Sequence, residues 1–189
     1  MDPARRRATY DDFLEVPDHL VAEIIDGDLY ATPRPASPHT RASSIIGIDI
    51  GGPFDRAGGG SGGPGGWWIL DEPELHLGAD IVVPDLAGWR RDRLAAVPNV
   101  AFFEQAPDWV CEVVSPSTAT IDRRHKIHIY SRAHVAHLWL VDPLAKTLEV
   151  YRLAADRWLL LNTYGGQERI YAEPFAAIEL DLGRWWLEP

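Results

Sequence analysis

The chain has 189 residues, 46% of them hydrophobic and 24% charged, and a formal net charge of −10. This is the composition of an ordinary globular domain with enough chain to bury a sizeable core, and no run approaches the ~18 apolar residues of a membrane span. The acidic balance excludes a nucleic-acid binder that relies on a broadly basic surface, so any such contact must come from local clusters.

Thr9 is placed to cap a short helix through Asp11, Asp12, Phe13, Leu14 and Glu15, with acids in the first turn to suit the macrodipole. Pro17 ends it. Apolar runs at 21–25 and 29–31 flank Asp26-Gly27, a strong hairpin signal. Ser37-Pro38 opens a second helix, with serine as cap and proline at the first position. It runs through Ile45, Ile46 and Ile48, ends at Gly51-Gly52-Pro53 and carries His39 in its first turn. Residues 57–66 read as a flexible glycine-rich loop. No lysine-serine or lysine-threonine pair follows, so the loop is no nucleotide cradle.

Strands are predicted at 67–70, 74–77 and 81–89, then a loop with Arg90, Arg91, Arg93 and Pro98. Residues 109–114 are apolar except for Glu112, the pattern of a strand buried on both faces. Ser117 or Thr118 caps a helix ending near Ala133, on which Asp122 and Lys126 share one face. Strands follow at 137–141, 148–153 and 158–163, the last ones an antiparallel meander. The fold class is mixed α/β, a largely antiparallel sheet flanked by helices, in one domain over 1–189. Trp89, Trp109, Trp139 and Trp158 read as core.

Glu112 is the sharpest anomaly. A carboxylate among Val110, Cys111, Val113 and Val114 is costly to bury unless it meets a cation or a proton. Asp85 follows another apolar run, and Lys126 comes shortly after Glu112. Two carboxylates on adjacent strands and one ammonium form the minimum set for metal-assisted phosphodiester hydrolysis. Among 18 Lys+Arg residues only Lys126 and Lys146 are lysines; a lysine kept where arginine is the default suits a site needing a compact, titratable charge. Lys146 sits in a turn after Asp142-Pro143 and needs no such account. The plainer alternatives are a Glu112 that faces solvent or forms a structural ion pair, a turn aspartate at Asp85 and a surface Asp122–Lys126 pair. Glu23 is a candidate third acid. His39, near a helix start, is placed to donate to a phosphate. Zinc-protease and serine-hydrolase patterns are absent. The single Cys111 cannot form an intrachain disulfide, which points to a reducing, cytoplasmic setting, and residues 1–7 lack the apolar stretch of a signal peptide. Candidate nucleic-acid contacts are Arg90, Arg91, Arg93, Arg123 and Arg124; Arg5, Arg6 and Arg7 read as solvated charge.

Several segments together resemble a known family. They are Glu23-Ile24-Ile25-Asp26-Gly27-Asp28-Leu29, His39 after Ser37-Pro38, Pro84-Asp85-Leu86, Glu112-Val113-Val114-Ser115-Pro116-Ser117-Thr118, Asp122 to Lys126 with Tyr130, and Leu138-Trp139-Leu140-Val141-Asp142-Pro143. Over residues 8–182 the chain is similar to the Uma-two family, a bacterial branch of the PD-(D/E)XK nuclease superfamily. The resemblance implies a restriction-endonuclease-like core and Mg²⁺ (or Mn²⁺) held by Asp85 and Glu112. It implies an endonuclease acting on DNA, with Glu23 and His39 as further site residues. The superfamily pattern puts its lysine two residues after the glutamate, where this chain has Val114; the role then passes to Lys126. A catalytically silent module that binds a protein partner is the rival reading, and a homodimer is left open.

Overall fold

The structure is a computed structural model and describes residues 6–58, 62–116 and 118–187. Arg5 of the N-terminal cluster, the capping candidate Ser117 and residues 59–61 of the glycine-rich loop lie outside them. Helix α1 (Tyr10–Leu14) begins with the expected Thr9 cap, closed into a capping box by Asp12. Strands β1 (Leu20–Ile25) and β2 (Asp28–Pro33) form the expected hairpin. Asp26 at φ 54° and Gly27 at φ 89° give its turn the two positive φ values that a tight hairpin of this hand requires.

Helix α2 (Ser37–Phe54) differs from expectation at both ends. Ala36 is its cap residue and Ser37 is already helical, so the start has no side-chain cap. At the other end it continues through Gly51, Gly52 and Pro53, because Phe54 is drawn into the core, its ring 4.7 Å from that of Phe175. The described part of the glycine-rich segment folds back on this end. Gly65 N–H donates to the Pro53 carbonyl and Gly66 N–H to that of Arg56. A Cβ at Gly63 would stand 2.5 Å from the Pro53 oxygen, so only glycine fits there.

Next come β3 (Trp67–Asp71), β4 (Leu75–Leu77), β5 (Asp80–Val82), β6 (Leu86–Arg90) and β7 (Trp109–Val113). The strand expected over 81–89 is two strands in two different sheets. Pro84 has no N–H to give a ladder, so pairing stops there and the chain crosses over. One sheet has the order β2-β1-β5-β4. After β7 the chain forms α3 (Ala119–Ile121), a π-turn (Asp122–Lys126) and α4 (Ile127–Arg132), where one continuous helix was expected. Thr118 precedes α3 without a side-chain cap bond. This helical crossover returns to β8 (His137–Asp142), which runs parallel to β7. The meander β9 (Thr147–Ala154) and β10 (Arg157–Gly165) completes a second sheet, of order β10-β9-β8-β7-β6-β3.

The six-stranded sheet has a hydrophobic layer on each face. Trp109, Cys111 and Val113 of β7 join one, with Ile46 and Ile50 of α2 and Phe175, Leu182 and Trp185 from the C-terminal segment. Val110 joins the other, with Ile129 and Tyr130 of α4 and Val82 of β5. Alternation along a strand therefore puts Glu112 on the Val110 face, towards α4 and the smaller sheet. Trp89, Trp109 and Trp139 are fully buried as expected. Trp158 is half-buried, its indole N–H donating to the Ile127 carbonyl. The short strands β11 (Arg169–Ile170) and β12 (Leu180–Asp181) and a 3₁₀ turn (Leu182–Arg184) were not expected from sequence. Among the described residues no helix is long and apolar enough to cross a membrane.

Candidate active site

The antiparallel register of β6 and β7 pairs Leu86 with Cys111, so Asp85 arrives next to the end of β7. Its Oδ2 accepts from Val113 N–H at 2.7 Å, and its Oδ1 lies 3.1 Å from His39 Nε2 in the first turn of α2. Glu23, on β1 of the other sheet, accepts from Val83 N–H at 2.9 Å. The π-turn supplies the cation. Ile127 N–H reaches back five residues to the Asp122 carbonyl, a wide turn that occurs mostly at functional sites. Lys126 Nζ stands 2.8 Å from Glu23 Oε1 and 2.8 Å from Glu112 Oε1, and 3.8 Å from Asp122 Oδ1. One ammonium thus bridges carboxylates from two sheets at the point where Pro84 carries the chain between them. The Tyr130 hydroxyl also donates to Glu112 Oε1.

Glu23, His39, Asp85, Glu112 and Lys126, the five residues singled out as catalytic, line one cleft of about 330 Å³. Asp122, Arg34 and Glu72 line it too. Neither an exposed Glu112 nor a surface Asp122–Lys126 pair describes these residues, since all three are buried; the other plain alternative, an ion pair of Glu112, is present with Lys126. Tyr130, named from sequence only within the resemblance and given no role there, enters the site through Glu112, four residues beyond Lys126 and eight beyond Asp122 as helical periodicity allows. Arg34, 2.9 Å from Glu72, had no sequence signal beyond its place at the end of the hairpin.

The five arginines named for nucleic acid are not brought to this cleft. Arg90 ends β6, five residues and about 16 Å of strand from Asp85. Arg90 pairs with Asp92, Arg91 with Asp55, Arg93 with Asp108 and Arg123 with Glu149. Arg124 is exposed.

Charge in the cleft is unbalanced: Asp85, Glu112, Glu23 and Asp122 face Lys126 and His39. Burial pushes the Glu112 carboxyl well up, and Asp122, Asp85 and Glu23 add to this against Lys126. Burial opposes charge on Lys126, but Glu112 and Glu23 outweigh it, so the ammonium is held firmly. Burial likewise opposes charge on His39, and its bond to Asp85 with the nearby acids raises it overall. Asp122 is raised to about 6, first by burial and then by Glu23 and Asp85. The folded state therefore binds this proton more tightly than the unfolded chain, and stability falls as pH rises between about 4 and 6. Asp122→Asn is expected to stabilise the protein at pH 8, by up to about 3 kcal/mol at ~1.4 kcal/mol per tenfold change, and to leave it unchanged at pH 4. Urea unfolding at the two pH values checks this; equal effects at both would show that Asp122 carries no such cost.

The donor set suits a hard divalent cation: carboxylate oxygens in a cleft with negative charge in excess. Among the described residues no group of three His, Cys, Asp or Glu side chains is gathered for an ion as it stands. The reason is visible: Lys126 occupies the space between Glu23 and Glu112, and Asp85 is turned to His39 and Val113. A cation would have to share Glu112 with the lysine.

Residues 10–183 match the family model described as "Uma2: Putative restriction endonuclease". The fold is similar to that of a solved structure from Anabaena variabilis, described as "a putative nuclease belonging to DUF820". The TM-score is 0.73 at 22% identity, over 94% of this chain and 98% of that one. No curated protein matches.

Proposed function

The chain belongs to the Uma2 family, and from that premise we propose that it is a divalent-metal-dependent endonuclease hydrolysing DNA phosphodiester bonds in the Asp85–Glu112–Lys126 cleft. The observation that carries the reading is the single ammonium shared by Glu23 and Glu112 beside Asp85, in a cleft with more acid than base. Asp85 and Glu112 would hold Mg²⁺ (or Mn²⁺), which supplies an acidified water and polarises the phosphate. Lys126 remains protonated and is placed to orient the attacking water and to neutralise charge developing on the phosphate. Glu23 aims the ammonium by holding it from the opposite sheet. His39 Nε2–H, now on Asp85, is a donor for a phosphate oxygen. Arg34 at the cleft wall can exchange Glu72 for the next phosphate along the strand. Arg90, Arg91, Arg93 and Arg123 would contact DNA only by exchanging their carboxylates for phosphates; Arg124 is free of any ion pair among the described residues. A cytoplasmic location and a homodimer accord with this reading, though neither is needed for it.

A metal-dependent nicking assay on supercoiled, linear and single-stranded DNA is the test. Wild-type protein should cleave with Mg²⁺ or Mn²⁺, and Glu112→Gln should lose at least about a thousandfold, several kcal/mol of barrier at tenfold per 1.36 kcal/mol. The net charge of −10 and the neutralised arginines favour a second reading, a silent module with a protein partner. Absence of both cleavage and DNA binding by folded protein would decide for it.

A further inference from the structure

Tyr130 is fully buried in the layer between α4 and the six-stranded sheet. Its hydroxyl and the Lys126 ammonium converge on the same oxygen, Glu112 Oε1. Among the described residues no donor reaches Glu112 Oε2. Nor is that oxygen sealed in, since the buried side-chain atoms left without a partner are His39 Nδ1, Arg56 Nε, Trp109 Nε1 and His137 Nδ1. Glu112 lines the cleft, and Oε2, the oxygen that neither donor holds, is the one left for a ligand there.

The two donors are not equivalent. Lys126 is shared with Glu23, and a second cation arriving at Glu112 would repel it towards that other carboxylate. A phenol is neutral and is not repelled. It also sits on a ring with only two side-chain torsions, locked by packing against the core. We propose that Tyr130 is a positioning residue that anchors Glu112 Oε1 and thereby presents Oε2 to a divalent cation in the cleft. This rests on Glu112 being a metal ligand, as above; what is new is that the anchor is the neutral phenol. Hydrogen-bonded partners of ligating carboxylates commonly change metal affinity by 10–100-fold when removed.

The experiment is Mn²⁺ titration, free ion followed by electron paramagnetic resonance, of wild type, Tyr130→Phe and Tyr151→Phe. Tyr151 is a matched control, donating to Glu149 at 2.6 Å and lining no part of the cleft. Tyr130→Phe should bind Mn²⁺ 10–100-fold more weakly, with cooperative thermal unfolding retained, and Tyr151→Phe should bind like wild type. Wild-type affinity in Tyr130→Phe overturns the proposal, as does an equal loss in both variants, which would report general loosening. No Mn²⁺ binding by wild type overturns the metal reading itself, and this proposal with it, a result distinct from the other two. Should Tyr130→Phe fail to fold, 3,5-difluorotyrosine placed at 130 keeps the ring and hydroxyl and alters only donor strength. A shifted Mn²⁺ affinity then supports the proposal and an unchanged one overturns it.

Discussion

Lys126→Met is expected to lower the unfolding free energy by about 3–5 kcal/mol and to abolish cleavage while divalent-metal binding survives. The side chain is 3% exposed and lies 2.8 Å from both Glu23 and Glu112. Methionine fills a similar volume, so the loss is not one of packing. It comes from leaving two buried carboxylates without their shared counter-charge, and from the carbonyl of Val83 losing its 3.4 Å contact. Adding Glu112→Gln to Lys126→Met removes one stranded charge and should recover part of the stability, a coupling that independent sites would not show. Urea unfolding of wild type, both single variants and the double variant measures it. Calorimetry with Mn²⁺ should show binding retained by Lys126→Met, since the lysine acts on water and phosphate and competes with the cation for Glu112. A Lys126→Met variant as stable as wild type would mean that the ammonium does not compensate these acids; one that still cleaves would mean that another group activates the water.

The second large effect lies far from the cleft. Phe175→Ala should cost about 3–5 kcal/mol, the range for emptying a buried aromatic site. Phe175 is fully buried, and its ring centroid is 4.7 Å from Phe54, 5.0 Å from Trp67, 4.9 Å from Trp109 and 5.7 Å from Trp139. These four come from the end of α2, β3, β7 and β8, so one ring ties a helix to three strands. Its removal leaves a cavity that large indoles cannot close by small adjustments. Guanidinium unfolding followed by tryptophan fluorescence would register the change. A loss under about 1 kcal/mol would show that the C-terminal segment is an appendage and no part of the core.

How much of this was legible depended on whether the physics was local. Glu112 stood out because an acid in an otherwise apolar run needs an explanation wherever the run lies. Lys126 stood out because arginine is the default cation of this chain. The hairpin at Asp26-Gly27 and the Thr9 cap rest on backbone preferences of adjacent residues, and both formed as expected. Pro84 was misjudged. The apolar run from Ile81 to Trp89 reads straight through it, and only its missing N–H marks the crossing between sheets. The C-terminal segment was invisible because Phe175, Leu182 and Trp185 follow neither strand nor helix periodicity; they are buried by partners distant in sequence, such as Phe54, Trp67 and Trp139. The ion pairs of the arginines were invisible for the same reason. Asp55 and Glu149, which neutralise Arg91 and Arg123, are 36 and 26 residues distant, and no local pattern announces such pairs.

The bridge formed by Lys126 has a bearing on how activity could be lost in descendants of this chain. The same ammonium serves the reaction and ties one sheet to the other, so selection for a folded protein preserves it even after catalysis has ceased to matter. Asp85 and His39 carry no such double duty: their side-chain bonds run to each other and to one backbone N–H. Drift would erase them first. In any relative of uncertain activity, a retained lysine is weak testimony that the enzyme still works, and a retained aspartate with its histidine is the stronger sign.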